Sequence, residues 1–249
     1  MREIRAASLC GLGLLVALAT VQAADGPPAA SRPEPKPAPA QIQPKLTYIP
    51  PVRGAPITRI GGASRGRTAE ALVLSVLAPQ HTGLTSDPKP VLYWYVSKAV
   101  HEPVEFTLND PKADTPVLEM RLKGPFGPGI HSLRLADYPL QPGIEYQWFI
   151  TLVPAAEQRA RDIIAGGTIR RAQPPPLLAR RLPGADPRQL PPLYAEQGFW
   201  YDAIAVLSQL IDSNPGDKSL REQRAELLEQ VGLTAAAAYD RDAAGPHAN

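Results

Sequence analysis

Proline constrains this chain more than any other feature, filling 30 of its 249 positions. That is about 12%, against the ordinary ~5%. Each proline locks φ and removes a backbone donor, so an all-helical bundle is excluded and short strands, turns and extended linkers remain. The length admits one or two domains. With 26 basic and 24 acidic residues the net charge is +2, which excludes a strongly basic nucleic-acid binder. The single cysteine, Cys10, rules out an internal disulfide framework and a Cys-based zinc site.

Residues 1–24 read as a secretory signal peptide. Arg2 and Arg5 form a basic start, Ala6 to Val21 is an uncharged apolar run, and Val21 and Ala23 supply small residues for cleavage. The run of about 16 residues is shorter than the ~20 that a spanning helix needs. Cleavage removes Cys10, and no transmembrane segment is expected in the mature chain, which is placed in the periplasm or cell envelope. Residues 25–52 form a Pro-rich linker with alternating prolines from Pro33 to Pro39. Such a segment favours an extended polyproline II spacer with little apolar surface to bury.

Residues 53–172 are predicted to form a β-sandwich domain. Ala71 to Ala78 and Val91 to Val96 are apolar runs fit for buried strands, while Val104, Phe106 and Leu108 alternate with polar neighbours. Leu118, Met120 and Leu122 alternate likewise, and Ile144, Tyr146, Trp148, Ile150 and Leu152 line one face of a strand. Turn signals at Asp87-Pro88, Asp110-Pro111, Gly124-Pro125, Gly127-Pro128-Gly129 and Pro142-Gly143 separate them. About seven short strands without intervening helical pattern predict a mainly β fold, an immunoglobulin-like antiparallel β-sandwich.

A second Pro-rich connector, 173–186, precedes a helical segment, 187–233. Trp200, Ala203, Ile204, Leu207, Leu210 and Ile211 recur at helical spacing. Pro215-Gly216 ends that helix, Ser219 with Glu222 reads as a capping box for the next, and Gly232 as its C-terminal cap. The two helices carry more apolar stripe than they can hide from water themselves. The segment therefore either folds back onto the sandwich or receives an external partner. Opposite charge points to such docking: residues 53–181 hold 16 basic and 11 acidic side chains, residues 182–249 hold 5 and 10. The Ala-rich tail, 234–249, lacks periodicity and reads as disordered.

Three resemblances follow from these residues. Leu140-Gln141-Pro142-Gly143-Ile144-Glu145-Tyr146 resembles the tyrosine corner of fibronectin type III domains, which implies that the Tyr146 hydroxyl bonds backbone a few residues upstream. Leu190, Tyr194, Gly198, Ala203, Leu207 and Pro215 resemble one tetratricopeptide repeat, departing from it at Pro191-Pro192, which shortens the first helix. Gly54-Ala55-Pro56, Arg59-Ile60-Gly61-Gly62-Ala63-Ser64-Arg65-Gly66, Tyr93-Trp94-Tyr95-Val96, the Tyr146/Trp148 strand and Gly166-Gly167-Thr168-Ile169-Arg170 resemble the uncharacterised bacterial domain-of-unknown-function family 928 across residues 50–211. That resemblance implies an exported protein and brings no activity, cofactor or catalytic residue.

The candidate site is the loop carrying Arg59, Gly61, Gly62, Arg65, Gly66 and Arg67. Glycines among arginines present backbone N–H groups and guanidinium forks to an anion or partner. The competing reading is a loop needing positive φ at its glycines, with arginines paired to nearby acids. The loop lacks the Lys-Ser/Thr ending of a P-loop. His81, His101, His131 and His247 are scattered, so no metal site and no cofactor are expected. No G-x-S-x-G occurs around Ser75 or Ser132, and no carboxylate pair is nominated, so catalytic residues are none. Asp162 reads as a structural partner of Arg159 or Arg65. Tyr93, Trp94 and Tyr95 offer stacking surfaces, with Trp94 on the opposite face from its neighbours. The function expected is a non-catalytic binding or assembly module that docks another envelope protein; the alternative is an envelope enzyme or carbohydrate-binding protein.

Overall fold

The computed structural model describes residues 46–51, 59–63 and 71–245. The expected leader at 1–24, most of the linker 25–52 and the last four residues lie outside the described residues. Among the described residues, nine strands form two sheets. β1 (Gly62–Ala63), β2 (Val73–Val76), β4 (Val91–Val96) and β7 (Gly129–Arg134) make a four-stranded antiparallel sheet in the order β1-β2-β4-β7. β3 (Gly83–Thr85), β5 (Val104–Asn109), β6 (Leu118–Leu122), β8 (Glu145–Leu152) and β9 (Ile163–Arg171) make a five-stranded one in the order β3-β9-β8-β5-β6.

Period-two patterning placed the central strands well. Val104, Phe106 and Leu108 of β5 are buried with half-buried residues between them, and Tyr146, Trp148 and Ile150 of β8 are fully buried. β5 and β8 pair antiparallel with Leu108 opposite Trp148 and Phe106 opposite Ile150, so both rows enter one core. The expectation of a wholly antiparallel sandwich needs one correction. β3 runs parallel to β9, with Gly83 opposite Ile169. Two strands so far apart in sequence are free of the hairpin geometry that makes neighbours antiparallel. At the turn before β8, the Gln141 backbone N–H donates to the Tyr146 hydroxyl at 3.3 Å.

Five helices follow: α1 (Pro176–Arg181), α2 (Leu190–Glu196), α3 (Trp200–Ser213), α4 (Lys218–Gln230) and α5 (Thr234–Ala243). They fold back onto the sheets, which decides between the two fates open to the apolar stripe. Trp200 and Tyr201, at the start of α3, are buried among the sheet residues. The Trp200 indole donates to Leu77 O at 2.8 Å. The Tyr201 hydroxyl accepts from the Trp148 indole at 2.9 Å and donates to Thr168 O at 3.0 Å. A side chain at Gly83 would place its Cβ 2.7 Å from the Tyr201 ring, so β3 needs glycine where α3 approaches.

Four expectations about boundaries are corrected. Residues 46–51, expected as solvated linker, pack against the helices: Leu46 and Tyr48 are buried, and Ile49 N–H donates to Ala195 O at 3.0 Å. The connector 173–186 contains α1, whose Leu178 joins Leu84, Leu193 and Phe199 in a small second cluster. The tail expected to be disordered forms α5, because alanine favours helix and Ala236 and Ala237 are small enough to bury. The N-cap of α4 is Asp217, not Ser219: its carboxylate accepts from Ser219 N at 3.1 Å and from the Ser219 hydroxyl at 2.6 Å. Two expectations hold: α2 has only seven residues, and Gly232, at φ +74°, follows the last turn of α4.

Candidate functional site

The described part of the arginine–glycine loop is anchored through Arg59. Arg59 is half-buried, and its Nη1 donates to Ala78 O at 3.0 Å and to Val231 O at 2.8 Å. Val231 lies just past α4, where helix carbonyls lack intrahelical partners. Arg59 thus supplies donors to the end of α4 and fastens it to the strand region, a structural use of the guanidinium. Gly61 does not adopt positive φ and has open space around it, and Gly62 begins β1. Arg65, Gly66 and Arg67 lie outside the described residues. Among the described residues of the loop, Arg59 is committed to the fold. Beside it, a cavity of about 310 Å³ is bordered by Arg59, Val73, Ser75, Gln80, Leu233 and Thr234.

Polar side chains converge instead in a cleft of about 430 Å³ between the four-stranded sheet and the helices. β4 contributes Tyr93, β7 contributes Ile130, His131 and Ser132, and Phe126 comes from the turn before β7. α3 contributes Ser208, Ile211 and Asp212; α4 contributes Arg221 and Arg224; α5 contributes Tyr239. The floor is built around Arg224, a buried guanidinium. Its Nε and Nη2 donate to the two oxygens of the fully buried Asp240, each at 2.7 Å, and its Nη1 donates to the Ser208 hydroxyl at 2.9 Å. Such a fork-to-carboxylate arrangement is rigid and directional. Breaking one partner would strand a buried charge.

The walls are aromatic. The His131 ring lies 4.7 Å from that of Trp94 and 5.1 Å from that of Phe126, and His131 Nε2 is 2.8 Å from Gly127 O. Trp94 is fully buried and shares with His131, its partner across the strands, the sheet face opposite to Tyr93 and Ser132, so it presents no stacking surface to solvent. Burial raises the pKa of the Tyr93 phenol, and its hydrogen bond with Ser208 works against that rise. Tyr239 approaches β7 at Gly129, whose φ is +139° and whose Cβ would fall 2.6 Å from the Tyr239 hydroxyl. Only glycine satisfies both conditions there. Arg221 and Asp212 stand at the more open side; Arg221 Nη1 reaches Asp240 only at 3.5 Å.

A smaller cavity of about 190 Å³ surrounds Asp202 on α3. Asp202 is buried and accepts from the Ser86 backbone N–H at 3.0 and 3.1 Å and from the Ser86 hydroxyl. Burial pushes its pKa up to about 6, against the hydrogen bonds from Ser86 and Thr85 that favour the charged form. The carboxylate ties α3 to the β3–β4 connection. Asp162 meets Arg159 at 2.9 Å, one of the two pairings expected of it. Among the described residues, no group of three or more His, Cys, Asp or Glu side chains is placed to hold a metal ion.

A family model described as Domain of Unknown Function (DUF928) matches residues 60–240. The chain belongs to this family. No curated protein matches it. The matched span of this DUF928 protein runs from Ile60, whose backbone pairs with Gly166, to Asp240, the partner of Arg224. It therefore takes in both sheets and the helices through most of α5, beginning later and ending farther along than the 50–211 read from sequence motifs. The residues 46–51 that pack on the helices precede the span.

Sequence reading missed the cleft because its polar residues come from five elements. Arg224 and Asp240 are 16 positions apart on successive helices, and the second of those helices lacks apolar periodicity. The available signal was Thr234 to Ala243 itself, an alanine-rich stretch of high helix propensity immediately after the Gly232 stop.

Proposed function

We propose that the protein is exported and serves as a non-catalytic binding or assembly module of the bacterial cell envelope, docking a protein partner in the cleft over β4 and β7. The observation that carries this reading is the contrast between the cleft's floor and its rim. At the floor, Arg224, Asp240 and Ser208 are committed to one another, so the strongest charges there are spent on holding α3, α4 and α5 together. Around the rim, Ser132 and Asp212 are exposed, and His131, Phe126 and Tyr239 are half-buried. A rigid floor with an open aromatic and polar rim suits recognition, in which groups are positioned once. The immunoglobulin-like character of the sheets, the fibronectin-type corner and the tetratricopeptide-like hairpin belong to this proposal. The Gln141–Tyr146 bond supports the corner, and the glycine-containing turn between a short α2 and a long α3 supports the hairpin.

The leader-like residues 1–24 and the Pro-rich stretch after them support export and a stalk. Mass spectrometry of the exported protein should show a chain beginning near Ala24; an intact Met1 would remove the export reading. The docking surface is tested with Ser132→Trp, which fills the cleft from its exposed side without touching the floor. The mature parent protein, cross-linked in envelope extracts, should capture a partner that the variant loses by at least tenfold. Equal capture by both would place docking elsewhere. The Tyr93 and Tyr239 rings in the cleft favour one second reading, a saccharide ligand stacked on them. Retention of the parent on envelope polysaccharide, again lost in Ser132→Trp, would select that reading.

A further inference from the structure

Residues 46–51 lie against the helices as a bound peptide does. Leu46 and Tyr48 are buried, whereas Thr47 and Ile49 between and after them face solvent, the alternation of an extended chain reading one surface with every second side chain. The backbone is gripped by Gln230 at the end of α4. Its side-chain carbonyl accepts from Tyr48 N–H at 2.8 Å, and its side-chain amide donates to Leu46 O at 2.9 Å. That two-bond clamp reads main chain, as a neighbouring strand would. Ile49 N–H adds a third main-chain bond to Ala195 O on α2.

Side-chain selection comes from the Tyr48 pocket. The Tyr48 ring meets Trp200 edge-on, with centroids 5.0 Å apart, and lies nearly parallel to His81 at 5.7 Å. Its hydroxyl is 2.8 Å from His81 Nε2. A phenylalanine would fill the same space and leave the imidazole nitrogen without that partner. The groove thus combines a sequence-independent backbone clamp with two pockets at positions i and i+2, the division of labour by which grooves recognise extended peptides.

We infer that the groove bordered by α2, α3 and α4 is a peptide-recognition site, occupied here by residues 46–51 of the same chain, and that it takes in exchange an extended partner polypeptide bearing an aliphatic side chain and, two residues later, a tyrosine. The seated segment precedes the family span, which begins at residue 60. Two buried side chains and a few main-chain bonds return little more than the entropy lost in ordering six residues. Such a segment opens locally without global unfolding. A partner that wins the groove frees the arm before residue 46. The groove shares no residue with the cleft over β4 and β7, so this inference and the proposed function stand or fall separately.

The probe is a fluorescein-labelled peptide of residues 45–51, Lys-Leu-Thr-Tyr-Ile-Pro-Pro. In the full mature chain, Leu46→Ala with Tyr48→Ala empties both pockets. Fluorescence anisotropy should show that this variant binds the peptide at least tenfold more tightly than the parent. Tyrosine-to-phenylalanine in the peptide should weaken binding a few-fold to about tenfold, the value of one neutral buried hydrogen bond. Adding Gln230→Ala to the variant should abolish binding. A folded double variant that binds no better than the parent, or that binds a scrambled peptide equally well, overturns the inference. Hydrogen exchange on the parent needs no variant to fold. Excess peptide should accelerate exchange at the Tyr48 and Ile49 amides while leaving the Phe106 and Ile150 amides protected. If those two strap amides exchange only with global unfolding, the segment is a fixed part of the fold and the inference fails.

Discussion

Asp202 shows how a single side chain can make this fold sensitive to pH. Its carboxyl ordinarily titrates at 3.8 and is raised to about 6 in the folded protein, mainly by burial. A raised acid favours the folded state most when protonated. Its contribution is therefore complete below pH 3.8 and is lost as pH rises through about 6. A shift of about two units corresponds to at most about 3 kcal/mol. Asp202→Asn keeps one acceptor for Ser86 and removes the titration. Urea unfolding of both proteins should show the parent losing up to about 3 kcal/mol relative to Asp202→Asn between pH 4 and pH 7. A difference independent of pH would mean that the carboxyl titrates normally. Arg224 is buried too, and its guanidinium makes two 2.7 Å bonds to Asp240, where low dielectric strengthens the pair.

Among the elements, β8 and the turn before it were the most legible. Tyr146, Trp148 and Ile150 alternate with more exposed residues, and the Pro142-Gly143 signal marks where the strand begins. The Tyr146 hydroxyl accepts from Gln141 N–H across five positions. Tyr146→Phe should lower stability by about 0.5–1.5 kcal/mol, nearer the lower figure because the bond is 3.3 Å long and Gln141 is exposed. Denaturant midpoints for mutant and parent decide it, and equal midpoints would show that the hydroxyl adds nothing to the turn. α5 was the least legible element. Its apolar positions are alanines, which carry weak hydrophobic periodicity even when Ala236 and Ala237 are fully buried. Its Asp240 also meets Arg224 on another helix.

At the scale of the molecule, sheets and helices form one folding unit. Trp200 and Tyr201 each remove a large aromatic surface from water against the sheets, on the order of 3 kcal/mol or more apiece. The hydrogen bonds from Trp200 to Leu77 and from Tyr201 to Thr168 and Trp148 give those contacts direction. Residues 25–186 and 187–249, produced separately, should therefore each expose apolar surface to a hydrophobic dye. Mixing them should lower the dye signal and restore near-ultraviolet dichroism. A helical fragment that is fully ordered and dye-silent alone would show that the two parts are independent domains.

The sequence alone determined the class of the fold and most of its strands, because alternation and turn residues act over a few positions and need no knowledge of what lies across the core. Val104 to Leu108 and Tyr146 to Ile150 declare a buried face whatever partner covers it. It also carried the family resemblance, since short motifs around Gly61-Gly62 and Gly166-Gly167 are read in one dimension. The tertiary structure alone decided where charge and aromatic surface converge. Arg59 was legible as a cation, yet its two carbonyl acceptors, Ala78 and Val231, lie 19 and 172 positions away. Tyr48 stands in the stretch expected to be a Pro-rich spacer, yet its clamp is Gln230, 182 positions on. Contacts of that span leave no periodicity behind. Their energy comes from excluding water between surfaces that only the folded chain brings together.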